Sequence, residues 1–303
     1  MKRKHFLSVA VMLASVVLGG SLASCSGDDD SYIPSPTVTD KDGNKVQVTS
    51  VGNIRFSYDE NGKLTSMSDG YDTYTLDGDK FAFDADEGHA EVYLNSDGFI
   101  TKIEVNESEG NRKNSVTVEY SYSDHRLKSC SASGKESNGS EYWKGTAKVN
   151  YTWKNGNLVQ VAIDSKEEVK EDGETYTETD KMNYVFTYGT QVNHSKQLPF
   201  YMGDEITGAE EFGAIFSVIG LFGYGPAYLP VGYTMSETDE RDRSYALSFT
   251  QNNNGTINTE SLDGHGIVRY GYNYNQSRAE GVGTQSIKQY VSSLSNLFKH
   301  RRQ

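Results

Sequence analysis

Apolar and polar residues alternate with a period of two along much of the chain between Lys45 and Gln276. Val116, Val118, Tyr120 and Tyr122 fall on one face and Thr117, Glu119, Ser121 and Ser123 on the other. Ala147, Val149, Tyr151 and Trp153 alternate in the same way with Lys148, Asn150, Thr152 and Lys154. Such a pattern is that of antiparallel strands with one packed and one wet face. The strands come in recurring hairpins. "RFSYDENGKLTSM" begins at Arg55, "EVYLNSDGFITKI" at Glu91, "VEYSYSDHRLKSC" at Val118, "VNYTWKNGNLVQV" at Val149 and "LSFTQNNNGTINT" at Leu247. In each, residues suited to positive φ separate two strands, and Leu or Ile opens the second. The spacing of Leu64, Ile100, Leu127, Leu158 and Ile257 is irregular, so this is a meander and not a fixed-period solenoid. The pattern predicts about fourteen strands in one all-β domain, a size that single β domains reach.

Two stretches carry helical periodicity. Phe212, Ile215, Phe216 and Ile219 recur at i, i+3, i+4 and i+7, with Gly213, Ala214 and Ser217 elsewhere; Gly220, Gly223, Gly225 and Pro226 then break the run. Residues 212–231 carry no charge, yet the glycines favour a short core helix that caps or plugs the strands over a membrane span. "GYGPAYLP" also offers Tyr224 and Tyr228 as candidates for a ligand-lining loop, with packing the plainer role. Near the C-terminus, Ile287, Tyr290, Val291, Leu294, Leu297 and Phe298 form one helical face ahead of Lys299, His300, Arg301 and Arg302. This amphipathic tail either docks on the β domain or lies on a membrane surface.

A meander of this length in an open sheet has two exposed edges, which closure into a barrel removes. Here the chain resembles the Bacteroidetes lipoproteins catalogued as domain of unknown function 4595. The resemblance runs from about Val46 to Tyr274 and rests on the "FSYDENGKLTSM"-type hairpins and on "IFSVIGLFGYGPAYLP". It implies a porin-like fold and no particular activity, so no functional residue carries over.

The N-terminus changes the picture. Lys2, Arg3 and Lys4 precede an apolar run from Phe6 to Leu18, and small residues follow up to Cys25. Leu22-Ala23-Ser24-Cys25 resembles a bacterial lipobox, which makes Cys25 the lipid attachment site. Ser26, Gly27, Asp28, Asp29 and Asp30 resemble the acidic signal that sends Bacteroidetes lipoproteins to the cell surface. The expected organisation is a signal peptide over 1–24, an acidic tether over 25–45, a β-barrel over 46–285 and the tail over 286–303. The location it implies is the outer membrane, surface-exposed. A lipid anchor is redundant on a self-inserting barrel, and the chain ends in "KHRRQ" where membrane barrels end on an aromatic residue. A soluble barrel is therefore expected in preference to a pore.

Loss of the leader takes the formal net charge from −13 to −16, which disfavours nucleic acid. Cys130 is then the one remaining cysteine, expected to be a buried inert thiol. No zinc-protease, Walker or nucleophile-elbow motif appears, and His89, His125, His194, His265 and His300 lack paired ligand spacing. The acidic segments 40–44 and 84–87 lack the glycine and glutamate of a calcium loop and read as solvated turns. No metal or cofactor is expected. Trp143 shares parity with Ala147 and Val149, which leaves Tyr142 as the better exposed aromatic and a third ligand candidate. The reading is a lipid-anchored, non-catalytic binding or structural module. Its partners are the membrane, through acyl chains, and a glycan or envelope protein. An extracellular glycan hydrolase and an outer-membrane pore are the alternatives, and oligomeric state is not legible.

Overall fold

The computed structural model describes residues 38–273 apart from 61, 63, 69–72, 78, 79, 86, 87, 110, 140, 172, 209 and 264. The leader, Cys25, the acidic block of residues 26–30 and the C-terminal stripe lie outside the described residues. Strands β1 (Val38–Thr39), β2 (Lys45–Val51), β3 (Ile54–Tyr58), β4 (Leu64–Ser68), β5 (Thr73–Asp77), β6 (Lys80–Ala85), β7 (Gly88–Leu94), β8 (Ile100–Glu109), β9 (Arg112–Ser123), β10 (Arg126–Asn138), β11 (Glu141–Lys154), β12 (Asn157–Glu171) and β13 (Glu174–Val192) come first. Helices α1 (Phe200–Ile206) and α2 (Glu210–Val218) follow. Then come β14 (Tyr228–Glu237), β15 (Arg243–Gln251), β16 (Ile257–Leu262) and β17 (Gly266–Asn273). All the described strands belong to one antiparallel, 17-stranded sheet, more than the sequence pattern predicts, and the described residues of the insert hold two helices rather than one. Chain neighbours pair throughout the meander. β17 also pairs with β2, from Tyr270↔Val51 to Asn273↔Gln47. The tether expected to reach residue 45 gives way earlier, because Val38–Thr39 pair with Val46 and Lys45 and Val38 is buried.

The recurring hairpins share a device that strict alternation does not foresee. Register slips by one residue just after each turn: Trp153↔Leu158 is followed by Thr152↔Gln160, and Leu94↔Ile100 by Tyr93↔Lys102. The same step occurs at Leu127, Leu64 and Ile257. Each slip is a β-bulge, which turns residues i and i+3 onto the same face. Leu64 and Met67, Ile100 and Ile103, Leu127 and Cys130, Leu158 and Val161, and Ile257 and Glu260 are accordingly all at most 4% exposed. The fifth repeat therefore places a glutamate where the others place a core residue.

That glutamate answers to the helices. Most of their described side chains are enclosed: Tyr201, Met202, Ile206, Ala214, Phe216, Ser217 and Val218 are buried. The one-sided stripe expected over 212–219 is thus corrected, since Gly213, Ala214 and Ser217 are as enclosed as Phe216 and Ile219. The helices press together at two glycines. A Cβ on Gly203 would strike the Ser217 hydroxyl, and one on Gly213 the Thr207 hydroxyl.

At the start of α1, Phe200 N–H donates to Glu260 Oε2 (2.8 Å) and Tyr201 N–H to Oε1 (2.9 Å). Tyr270 O–H donates to the same carboxylate at 2.5 Å. These bonds supply the first-turn donors with acceptors that the short helix cannot provide. At its other end, Tyr151 O–H donates to the Ile206 carbonyl (2.7 Å) and Tyr120 O–H to that of Thr207 (2.9 Å). Tyr184 and Tyr233 donate to the two oxygens of Glu205, at 2.9 and 3.1 Å. Part of the chain's large tyrosine content thus serves as sheet-borne hydroxyls that hold the helices.

This packing has measurable consequences. Leu158→Ala should lower stability by roughly 2–5 kcal/mol, whereas Val159→Ala, at the bulge, should change it by about 1 kcal/mol or less. Urea midpoints of the two variants check the register, and equal shifts would contradict it. Glu260→Ala leaves two buried helix N–H groups and a tyrosine hydroxyl without their acceptor. It should lower stability by roughly 2–5 kcal/mol, read from the same titration.

Candidate functional site

The three tyrosines singled out from sequence do not meet. Tyr224 is half-buried, with its ring centroid 5.3 Å from that of His125 and 6.3 Å from that of Phe99, and the Lys196 ammonium lies 5.2 Å from its ring. Tyr228 is 39% exposed at the start of β14, where its N–H donates to Asn157 Oδ1 at 3.0 Å. The loop between them is stitched across hairpin turns: Tyr224 N–H donates to the His125 carbonyl (2.7 Å), and Ala227 N–H to that of Gly156 (2.9 Å). Gly223 and Gly225 are required there, because a Cβ on either would strike the His125 or Gln197 carbonyl. This loop covers the turn end of the sheet, which is the plainer, packing role.

Tyr142 sits at the other end of the 14-residue strand β11, roughly 40 Å away at about 3.4 Å per residue. It faces outward, donates to Glu168 Oε1 at 2.7 Å and lies under Lys144. Cys130 is buried against the helix end, and burial pushes its thiol up to about 12, as an inert thiol requires. The 40–44 turn closes on itself, Asp40 accepting from the Asn44 amide at 2.9 Å. Residues 86 and 87 of the other acidic turn lie outside the described residues.

A different group of side chains comes together on the long strands. β9 to β13 run for 12 to 19 residues, while β2 to β7 run for 5 to 7. Register aligns their core faces in rows beyond the ends of α1. One row reads Val116, Gly134, Gly145, Glu167, Glu178, and the next Val118, Ala132, Ala147, Ser165, Asp180. Above them, Glu136, Trp143, Val169 and Tyr176 lie side by side. The small residues make room. The Trp143 ring covers Gly134, where a Cβ would come within 2.9 Å of it.

Glu167 is 1% exposed, and neither of its oxygens has a hydrogen-bond partner. Burial pushes its carboxyl up to about 7, and the charges of Glu178 and Asp180 push the same way. The Trp143 N–H opposes this shift but stops short of hydrogen-bond geometry. Trp143 Nε1 and Ser165 Oγ are likewise buried without partners. Glu178 and Asp180 are half-buried beside them, and Asp180 accepts only the N–H of Lys181 (2.7 Å) among the hydrogen bonds of the described residues.

The neighbouring cations are engaged elsewhere. Lys181 pairs with Asp164 (3.3 Å) and Lys144 with Glu168 (3.2 Å), all on the wet face. On the core face, Arg112 pairs with Glu136 at 2.7 Å. Among the described residues no group of three His, Cys, Asp or Glu is placed to hold a metal ion.

Sequence reasoning missed this group, although parity held the signal. Glu167 alternates in phase with Ile163 and Val169, and Glu178 and Asp180 with Met182 and Tyr184.

The sign of the pH effect follows from the raised carboxyl. Folded Glu167 keeps its proton where the unfolded chain releases it, so its contribution is intact below about pH 4.5 and lost as pH rises through about 7. At about 1.4 kcal/mol per pKa unit, the loss is at most roughly 3 kcal/mol. Glu167→Gln should raise stability over wild type at about pH 8 and leave it nearly unchanged at about pH 5, as read from urea midpoints. A gain equal at both pH values would contradict the buried charge.

No family model and no curated protein sequence matches the chain. Solved structures do. One is a porin-like protein from Bacteroides uniformis ATCC 8492, 13% identical, covering 73% of this chain and 90% of that one with a TM-score of 0.46. Another is a porin-like protein from Bacteroides vulgatus ATCC 8482, 12% identical, covering 76% of this chain and 99% of that one with a TM-score of 0.50. At such identity the second likeness carries the fold alone: this chain has a porin-like, antiparallel β fold.

Proposed function

We propose that the protein is a lipid-anchored β-barrel displayed on the outer membrane, and that its work there is binding rather than catalysis. Pairing of β17 with β2 supports the barrel, since it occupies the strand edges that an open meander leaves bare. The wet face carries Lys113, Glu119, Lys135, Lys148, Asp164 and Lys181, where a membrane barrel needs an apolar band. Two enclosed helices fill the core, where a pore needs a channel.

The observation that carries binding is the set of polar atoms on Trp143, Ser165 and Glu167, buried without partners beside two half-buried carboxylates. Native proteins satisfy buried polar atoms, so a cluster left unsatisfied beneath two half-buried carboxylates marks a position that serves something other than the fold. Glycan hydrolysis is the second reading. Glu167 and Glu178 stand directly opposite each other, about 5 Å apart at Cβ, and Glu167 holds its proton near neutrality. Binding ranks above it because contact at the rim needs only the half-buried Glu178 and Asp180, whereas hydrolysis needs Glu167, 1% exposed, to reach a glycosidic oxygen itself.

Anchoring and display separate by mutation. Cys25→Ala should move the protein to the soluble fraction, because acylation supplies the membrane affinity. Replacement of Asp28, Asp29 and Asp30 by Ala should keep it in the membrane fraction but shield it from protease added to intact cells. Undiminished digestion of that triple variant would remove the support for surface display. Release of reducing ends from envelope glycans, abolished by Glu178→Gln, would establish the hydrolase instead.

A further inference from the structure

We propose that Glu178 and Asp180 form the rim of a site for an organic cation, an amine- or guanidinium-bearing solute, seated above the buried Glu167. The assignment rests on the binding-module reading and names its ligand class. Three carboxylates share adjoining register rows on β12 and β13, with Glu167 facing Glu178 and Asp180 one row along. Like charges directly opposite one another repel, and none of the three makes an ion pair with a described residue. A cation from outside is the missing element.

The spacing selects the kind of cation. A metal ion needs several oxygens within about 2.6 Å, and the described residues offer no such group. Carboxylates set one register step apart suit a group that spreads several N–H donors over a few ångströms, as guanidinium and polyamines do. The surroundings agree with this. Trp143 gives an apolar flank where its ring covers Gly134, and Gly145, Ala132 and Ala147 bring little side-chain bulk to the neighbouring rows. Glu178 and Asp180, half-exposed, are positioned to touch the ligand, while Glu167 acts through its field from beneath. A neutral sugar would bring hydroxyl donors but leave the charges of Glu178 and Asp180 uncompensated. The strongly negative chain, −13 overall, also draws cations toward it.

Agmatine and spermidine are the probes, titrated calorimetrically into the full-length chain at fixed ionic strength near pH 8. Both should bind the wild type, and Glu178→Gln/Asp180→Asn should weaken binding about tenfold or more. Asp164→Asn/Glu168→Gln removes the same charge from the wet face and should leave affinity unchanged, which separates a site from a general charge effect. If the rim double variant does not fold, judged by near-ultraviolet circular dichroism, Glu178→Gln alone carries the comparison. Equal loss in rim and wet-face variants, or calcium binding in place of the amines, overturns the assignment. Binding of a neutral oligosaccharide without either amine also overturns it, yet leaves the binding-module reading standing. Glycan turnover removes that reading itself.

Discussion

Two short helices sit where the core faces of a long sheet converge, and their polar ends must be answered from the sheet. A seven-residue helix satisfies few of its own N–H and C=O groups and does not persist alone. Here Glu260 on β16 and Tyr270 on β17 meet its first turn, while Tyr120, Tyr151, Tyr184 and Tyr233 meet its end. Those residues come from strands far apart in the chain. Each bond therefore ties the helices to the sheet and also one part of the sheet to another. The tyrosines suit this work because each brings a large apolar ring to the core and a hydroxyl at its tip.

The bulges belong to the same problem. All five lie at the turn end of the strands, and the hairpins at Ile100, His125 and Gly156 bond to the loop that connects the helices to β14. By turning residues i and i+3 to one face, four of them deepen the apolar lining and the fifth brings Glu260 to the start of α1. They also add twist at the rim. The loop then takes up backbone groups of the turns, with Ile100 N–H donating to the Leu221 carbonyl at 2.8 Å and Tyr224 N–H to that of His125 at 2.7 Å. A side chain on Gly223 or Gly225 would prevent this approach, which explains the glycines of that segment more directly than a ligand does.

Alternation makes the strands, the core faces of Val116 through Tyr120 and the inward turn of Trp143 legible in the sequence, because burial on one face imposes a period of two. Leu158 and Val161 read as core residues from the hairpin pattern, although the bulge that reconciles their odd spacing needs the register of the partner strand. Helix count is harder to read. α1 is short, and "FYMGDEI" mixes glycine and two acids whose tolerance depends on Tyr184, Tyr233 and the close contact at Gly203. Tyr142, Tyr224 and Tyr228 stand out for ring and exposure, properties of single residues. A site depends on which residues share a row, and the rows that unite Gly145 with Glu167 and Glu178 are fixed only by pairing across strands.

Two buried glutamates show how one sheet separates structure from function. Burial pushes both carboxyls up to about 7, so on acidity alone they look alike. Glu260 receives two helix N–H groups and a tyrosine hydroxyl, and its position in the fifth hairpin is a core position that the helix start requires to be polar. Glu167 receives no hydrogen bond, stands opposite another acid and has an unpartnered indole N–H and serine hydroxyl for neighbours. The first arrangement stabilises the fold that contains it. The second costs stability and gives the fold nothing in return, and side chains that break local rules without internal compensation mark functional positions. Partner count, more than burial or charge, distinguishes the glutamate that holds the helices from the one on which the proposed site rests.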